Sequence, residues 1–251
     1  MGLQMGYIKT KGIILKEVNV GEADKILTIF SKNKGKISGA AKGARRPKSR
    51  LIAGAQLFCY SEFVLFKGKD MYSISSCDVI EPFYEIRNDL IKLTYAAHIN
   101  EIVMDNVQEE QPSSRVLQLF LNSLYMLAKT DKSPQLITRI FEIRLMAILG
   151  YAPSVMGCLK CSREDFKDLY FSFRHCGFLC KHCLEHDKYA LKLSEGAARA
   201  INYIVYSKIK NIFNFEVSEN ILLELEKVSK RYMKDRLEKE YTKLDFLKTL
   251  K

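Results

Sequence analysis

Residues 7–41 read YIKTKGIILKEVNVGEADKILTIFSKNKGKISGAA, and this stretch decides the N-terminal fold. It divides into three short segments, 7–18, 25–31 and 35–41, rich in β-branched and aromatic residues and punctuated by Asn19, Gly21, Asn33 and Gly35. That pattern predicts strands joined by tight turns. Working outward, 56–67 has apolar residues on both parities, with Phe58, Tyr60, Val64 and Phe66 on one and Leu57, Cys59, Phe63 and Leu65 on the other. Such a segment reads as a strand covered on each face. Gly68-Lys69-Asp70 then turns into a fifth segment at 71–79. Five strands in so short a stretch fit a small closed barrel, of which the OB-fold is the common five-stranded case, and an SH3-like barrel would read much the same.

After Pro82 the apolar period becomes helical. Leu90, Leu93, Ala97, Ile99, Ile102 and Val103 form one stripe, residues 116–127 a second and residues 136–149 a third. Ser133-Pro134 reads as an N-cap followed by proline at the first helical position, and Gly150 with Pro153 beyond it as a left-handed stop. Further helices are expected over 194–213 and 219–247. The expected fold class is therefore α+β and multidomain. An OB-fold β-barrel domain occupies 1–80, and an α-helical domain occupies 81–251 with a cysteine-bearing insertion at about 154–190.

The 251 residues carry a net charge of +11, unevenly spread. Residues 1–80 hold 14 basic and 6 acidic side chains, and residues 227–251 hold 9 basic and 4 acidic. Most of the N-terminal surplus lies in 32–50, where eight basic residues meet no acidic one. They are Lys32, Lys34, Lys36, Lys42, Arg45, Arg46, Lys48 and Arg50. Such a field attracts polyanions, and favours phosphate contact over a merely solvated loop. An anionic membrane surface is the weaker alternative, since no amphipathic helix accompanies the run. No window reaches the length of apolar sequence that spans a bilayer, and Met1–Tyr7 is too short and polar for a signal peptide. The expectation is a soluble, cytoplasmic protein.

Five of the seven cysteines fall between two helical regions. Cys158-Leu-Lys-Cys161 and Cys180-Lys-His-Cys183 are two C-x₂-C pairs, each able to point two thiolates at one ion and together able to complete a tetrahedron. The expectation is one structural Zn²⁺. A four-Cys set leaves no open position for catalytic water, and disulfides do not suit an odd count without an export signal. Cys176, His175, His182 and His186 remain open as substitute ligands. Cys59 and Cys77 read as small buried hydrophobes. Phosphate-binding G-x-x-x-x-G-K-[ST], nucleophile-elbow G-x-S-x-G, H-E-x-x-H and G-x-G-x-x-G patterns are all absent, so the expectation is a protein that is not an enzyme.

Two signatures go further. Gly21-Glu-Ala-Asp24-Lys-Ile26, Phe30-Ser31, Gly35-Lys36 and Ala41-Lys42-Gly43-Ala44-Arg45-Arg46-Pro47-Lys48-Ser49 closely resemble the N-terminal signature of the RecO family, the bacterial recombination mediators. Arg139-Ile-Phe141-Glu142 running into Leu149-Gly150-Tyr151-Ala152-Pro153, followed by the two C-x₂-C pairs, resembles the same family over roughly 7–205 in matching order. The resemblance implies an OB-fold, a helical body and an inserted zinc site. It also implies non-enzymatic binding of single- and double-stranded DNA, annealing of complementary strands, and help in loading RecA onto strands coated by the single-strand binding protein, SSB. RecR and the C-terminal tail of SSB are the implied protein partners.

Carried over by residue, Lys42, Arg45, Arg46, Lys48 and Arg50 match the family's basic loop, and with Lys36 they are the candidate DNA contacts. Their role would be positioning on phosphates rather than base reading. Arg139 matches the arginine that the family associates with the SSB tail; it either pairs with the tail's carboxylate or pairs with Glu142 or solvent. Tyr7, Phe58, Tyr60, Phe66 and Tyr72 would stack on bases only if they face outward. At Cys176 the family often has glycine. The alternative functional reading is a zinc-containing protein-interaction scaffold in which the basic loop is incidental.

Overall fold

The computed structural model describes residues 6–250. Five strands, β1 (Tyr7–Val20), β2 (Asp24–Ser31), β3 (Gly35–Ala41), β4 (Tyr60–Lys67) and β5 (Tyr72–Glu81), close into a barrel of order β1-β2-β3-β5-β4. All neighbours are antiparallel except β3 and β5, which pair in parallel at Gly39↔Tyr72 and Ala40↔Ser73. The expected OB-like barrel is therefore present. β1 does double service, its first half pairing with β4 and its second half with β2. Gly12, near the change of partner, has no room for a side chain, because a Cβ there would meet Ile29 Cγ2 at 2.7 Å.

Alternation sorts the side chains. Leu27, Ile29, Ile37, Ala41, Phe63, Leu65 and Ile74 point inward and are buried. The fourth strand begins at Tyr60, four residues later than the apolar run predicts. The reason is local: Cys59 N–H donates to Gln56 O in a turn, and the buried Phe58 holds φ at +66°. That left-handed backbone ends any strand, and an aromatic residue adopts it only when its surroundings impose it.

Residues 42–59 thus form a run of turns between β3 and β4. Three of its apolar side chains, Ala44, Leu51 and Ala55, join the barrel core. We call this segment the plug.

Three helices follow, α1 (Tyr84–Arg87), α2 (Leu90–Asn106) and α3 (Ser114–Lys129). The register of β1 slips between Ile14 and Lys16, and the Leu15 carbonyl accepts from Asn100 Nδ2 of α2 at 2.9 Å. Among the described residues two compact units divide between Lys129 and Thr130, and within the first α2 bonds to the barrel through Asn100 while α3 packs on α2.

The second unit packs α4 (Pro134–Ile148) against α5 (Glu195–Tyr206) and α6 (Glu219–Leu237). Ser133 Oγ accepts from Leu136 N–H, as an N-cap does. Gly150 takes φ +95° while Tyr151 N–H donates to Met146 O at 2.8 Å, the Schellman closure that stops α4. α5 and α6 end earlier than the periodicity suggests, and α6 stops where Glu238 turns left-handed. Between α4 and α5 sits a small sheet of β6 (Ser154–Cys158), β7 (Leu169–Ser172), β8 (Gly177–Cys180) and β9 (Leu191–Lys192), in the order β6-β8-β7-β9. No described helix is long and apolar enough to cross a membrane.

Candidate nucleic-acid interface and metal centre

The fold breaks the basic run into separate places. Lys32 and Lys34 sit in the β2–β3 turn, at the opposite end of β3 from Lys42. Seven strand residues put about 20 Å between those ends. Lys36 belongs to neither: its Nζ donates to Met104 O in the last turn of α2 at 3.0 Å, and its backbone bonds to Gln108 and Glu110. Its position is that of a clamp between barrel and helix.

Lys42, Arg45, Arg46, Lys48 and Arg50 remain together on the plug, all exposed and none in an ion pair among the described residues. The anchors explain the arrangement. Ala44, Leu51 and Ala55 dip into the barrel and leave the charged residues beside and between them facing water.

The plug is also tied to the β1–β2 turn. Gly43 N–H donates to Asp24 Oδ1 at 2.7 Å, Arg45 N–H to Ala23 O at 2.9 Å, and Arg45 Nη1 to Gly21 O at 3.2 Å. The two halves of the N-terminal signature, separated in the chain, are therefore one bonded structure. Gly43 has φ +66°, a conformation that glycine adopts without strain.

Two residues that sequence reasoning passed over secure the far side. Lys25 Nζ donates to Ala55 O and pairs with Glu17, and Arg87 Nη1 donates to Leu57 O and Pro82 O. Nothing local in the sequence announces the bonds to Ala55 and Leu57, since each of those carbonyls lies 30 residues away. They help line a cleft of about 440 Å³ beside Arg45. Of the candidate stacking rings, Phe58 and Tyr72 are buried, Tyr60 and Phe66 are half-buried, and Tyr7 is exposed.

The four C-x₂-C cysteines converge. The Sγ atoms of Cys158, Cys161, Cys180 and Cys183 lie within 4.8 Å of one another, with Cys161 and Cys180 3.7 Å apart. A tetrahedral ion with metal–sulfur bonds of about 2.3 Å requires sulfur–sulfur edges of about 3.8 Å, so the set fits one ion. Cys158 and Cys180 end strands β6 and β8, Cys161 sits in the turn after β6, and Cys183 lies in the 3₁₀ turn Lys181–His186. Gly157 is forced by close approach, since a Cβ would come within 2.4 Å of Arg163 O, the acceptor of Cys158 N–H.

Burial alone would raise the Cys158 thiol, but N–H groups of Cys161, Cys180 and Lys160 outweigh it and bring the pKa down to about 6. Cys183 goes the other way, pushed up to about 12 by burial and by its hydrogen bonds to the other three cysteines. Thiolates crowded this closely repel one another, and a bound cation is what lets all four ionise.

Cys176 and the nearby histidines lie outside this set. Cys176 occupies the β7–β8 turn at φ +57°, a backbone conformation that favours glycine, and its Sγ lies 3.8 Å from Phe173 O. His175 Nε2 faces His186 O at 3.2 Å.

Arg139 is buried, 2% exposed, and its Nη1 donates to Glu142 at 2.7 Å and to Ser229 of α6 at 3.3 Å. Ser229 Oγ donates in turn to Glu142. The pairing with Glu142, one of the alternatives read for this arginine, is formed within the chain.

Comparison with known proteins gives two family models in tandem. "Recombination protein O N terminal" matches residues 5–83 and "Recombination protein O C terminal" matches residues 87–245. The chain is similar to a DNA repair protein RecO of Acetivibrio thermocellus, with 70% identity over 98% of each chain. It is also similar to that of Caldicellulosiruptor saccharolyticus, with 38% identity over 98% of this chain and all of the relative. A third RecO, from Alkaliphilus metalliredigens, is 35% identical over 90% of this chain and 92% of its own length.

Proposed function

The chain belongs to the RecO family of DNA repair proteins, and on that footing we propose that it binds single- and double-stranded DNA and anneals complementary strands. With RecR, it then assists RecA in loading onto SSB-coated strands. The observation that carries this reading is the plug: five exposed cations, none in an ion pair among the described residues, on a segment anchored in the barrel core and bonded to Asp24. Lys42, Arg45, Arg46, Lys48 and Arg50 attract phosphates by releasing condensed counterions, which acts on any sequence. Lys36 contributes by holding β3 in place. The reaction needs no covalent chemistry and no nucleotide.

The four-thiolate set suits Zn²⁺, with which soft sulfur ligands form closed tetrahedral sites. Its role is to fold the small sheet between α4 and α5. Toward the SSB tail, Arg139 acts as a positioning residue, because its guanidinium already bonds Glu142 and Ser229 and so holds α4 to α6.

The test is fluorescence anisotropy of a labelled single strand across a salt series, comparing the natural chain with Lys42→Glu/Arg45→Glu/Arg46→Glu. Each phosphate contact contributes about 0.7 to the slope of log K against log salt on single strands. Loss of three contacts should lower the slope by about 2 and abolish most low-salt affinity. Unchanged binding would remove the plug from the interface.

A further inference from the structure

The barrel face beside the plug has a composition that charge does not explain, and the strand register defines it. Val18 lies opposite Ile26, Ile26 opposite Ala40, and Ala40 opposite Ser73, so these four make one row across β1, β2, β3 and β5. Lys16, Thr28 and Ser38 make the next row. Both rows face away from the core, since the alternate residues Leu27, Ile29, Ile37, Gly39 and Ala41 are the buried ones. Lys16, Val18 and Ser38 are exposed, and Lys42 continues directly from β3. The two rows hold small aliphatic and hydroxyl groups and one lysine, with neither a carboxylate nor an aromatic ring.

The barrel's rings lie elsewhere. Phe30, Phe58, Phe63 and Tyr72 are buried, and Tyr7, 68% exposed, stands at the far end of the 14-residue β1 from the plug. Tyr60 and Phe66 belong to β4, which pairs with that far half of β1. A single-strand site that grips bases does so with aromatic platforms. Here cations border a face with no platform, so the attraction is to the charged side of the strand.

We propose that this face holds a nucleic-acid strand by its phosphodiester backbone alone, the sugars against Val18 and Ile26 and the bases turned outward, open to pairing. The proposal rests on the DNA-binding reading above and says which side of the strand the protein touches. A strand held in this way is presented to its complement, and a duplex offers the same backbone.

The test uses the full chain and two dye-labelled oligonucleotides of equal length, one of natural sequence and one wholly abasic, compared by anisotropy at low salt. Affinities should agree within about twofold. A stacked base contributes roughly five- to 150-fold, so an abasic strand weaker by tenfold or more overturns the proposal while leaving DNA binding intact. If neither strand binds, the underlying reading fails as well. Permanganate oxidation of thymines gives a second readout. Thymines of a saturated single strand should react as fast as free ones, and strong protection would overturn the proposal.

Discussion

The plug and the cysteine knuckles are both irregular segments held in fixed shape, and they are held by opposite means. The plug is anchored by apolar side chains sunk into a core that exists for its own reasons, with Asp24, Lys25 and Arg87 as ties. The knuckles gather four thiols close enough to hold one ion. The first is a consequence of the fold around it, whereas the second, on the proposed reading, needs its ion in order to fold. Charge is presented outward in one and gathered inward in the other, and the two should respond to perturbation in different ways.

The largest expected effect is at the knuckles. Cys158→Ser removes one of four ligands, and metal binding in zinc peptides contributes on the order of 10–16 kcal/mol. Metal content should fall well below one ion per chain, and amide exchange should accelerate across 154–192 while 7–83 stays protected. Protection retained in both regions would show that the small sheet folds without its ion. Acid should act in the same direction. Cys158, with its thiol lowered to about 6, keeps its ionised form above that pH and loses it as the pH falls through that value.

At the plug, Leu51→Ala deletes a side chain that is 6% exposed and should cost about 2–5 kcal/mol by denaturant titration, with metal content unchanged. Asp24→Ala separates geometry from charge. It makes the chain more positive, so electrostatics alone predicts tighter DNA binding. The lost acceptor for Gly43 N–H, about 1.5–3 kcal/mol for a charged hydrogen bond, predicts a looser plug and binding weakened severalfold. Tighter binding would mean that the plug needs no fixed shape.

The smallest effect belongs to Cys176→Gly. Glycine relieves the left-handed turn and should stabilise the second unit by up to about 1 kcal/mol, with full metal content.

Much of this was legible in the chain. β3 begins and ends where Gly35 and Ala41 predict, Ser133 and Gly150 bracket α4, and the two C-x₂-C pairs meet. Those features are local, each set by residues within a few positions of one another or by a spacing with one chemical solution. What escaped was non-local. The engagement of Lys36 by Met104 spans 68 positions, and the bond from Arg139 to Ser229 spans 90. The plug hid its anchors because Ala44, Leu51 and Ala55 keep a helical spacing of seven and four in a segment that folds as successive turns, so the period named the wrong element. Phe58 reads as a strand residue by composition, yet its backbone is left-handed, and its N–H donates to Ile14 O of β1, a partner distant in the chain.

The double service of β1 has a consequence for how the chain comes into being. Its second half finds β2 within a hairpin, whereas Tyr7 must wait for Phe66, made about sixty residues later. At ribosomal rates of about 5–20 residues per second, that edge stays open for roughly three to twelve seconds of synthesis. Open edges recruit stray strands, and lysine is a common deterrent. Lys9 and Lys11 stand on this waiting edge, and once β4 arrives Lys9 closes on Glu62 at 2.7 Å. The same lysines thus guard the nascent strand before they decorate the finished barrel.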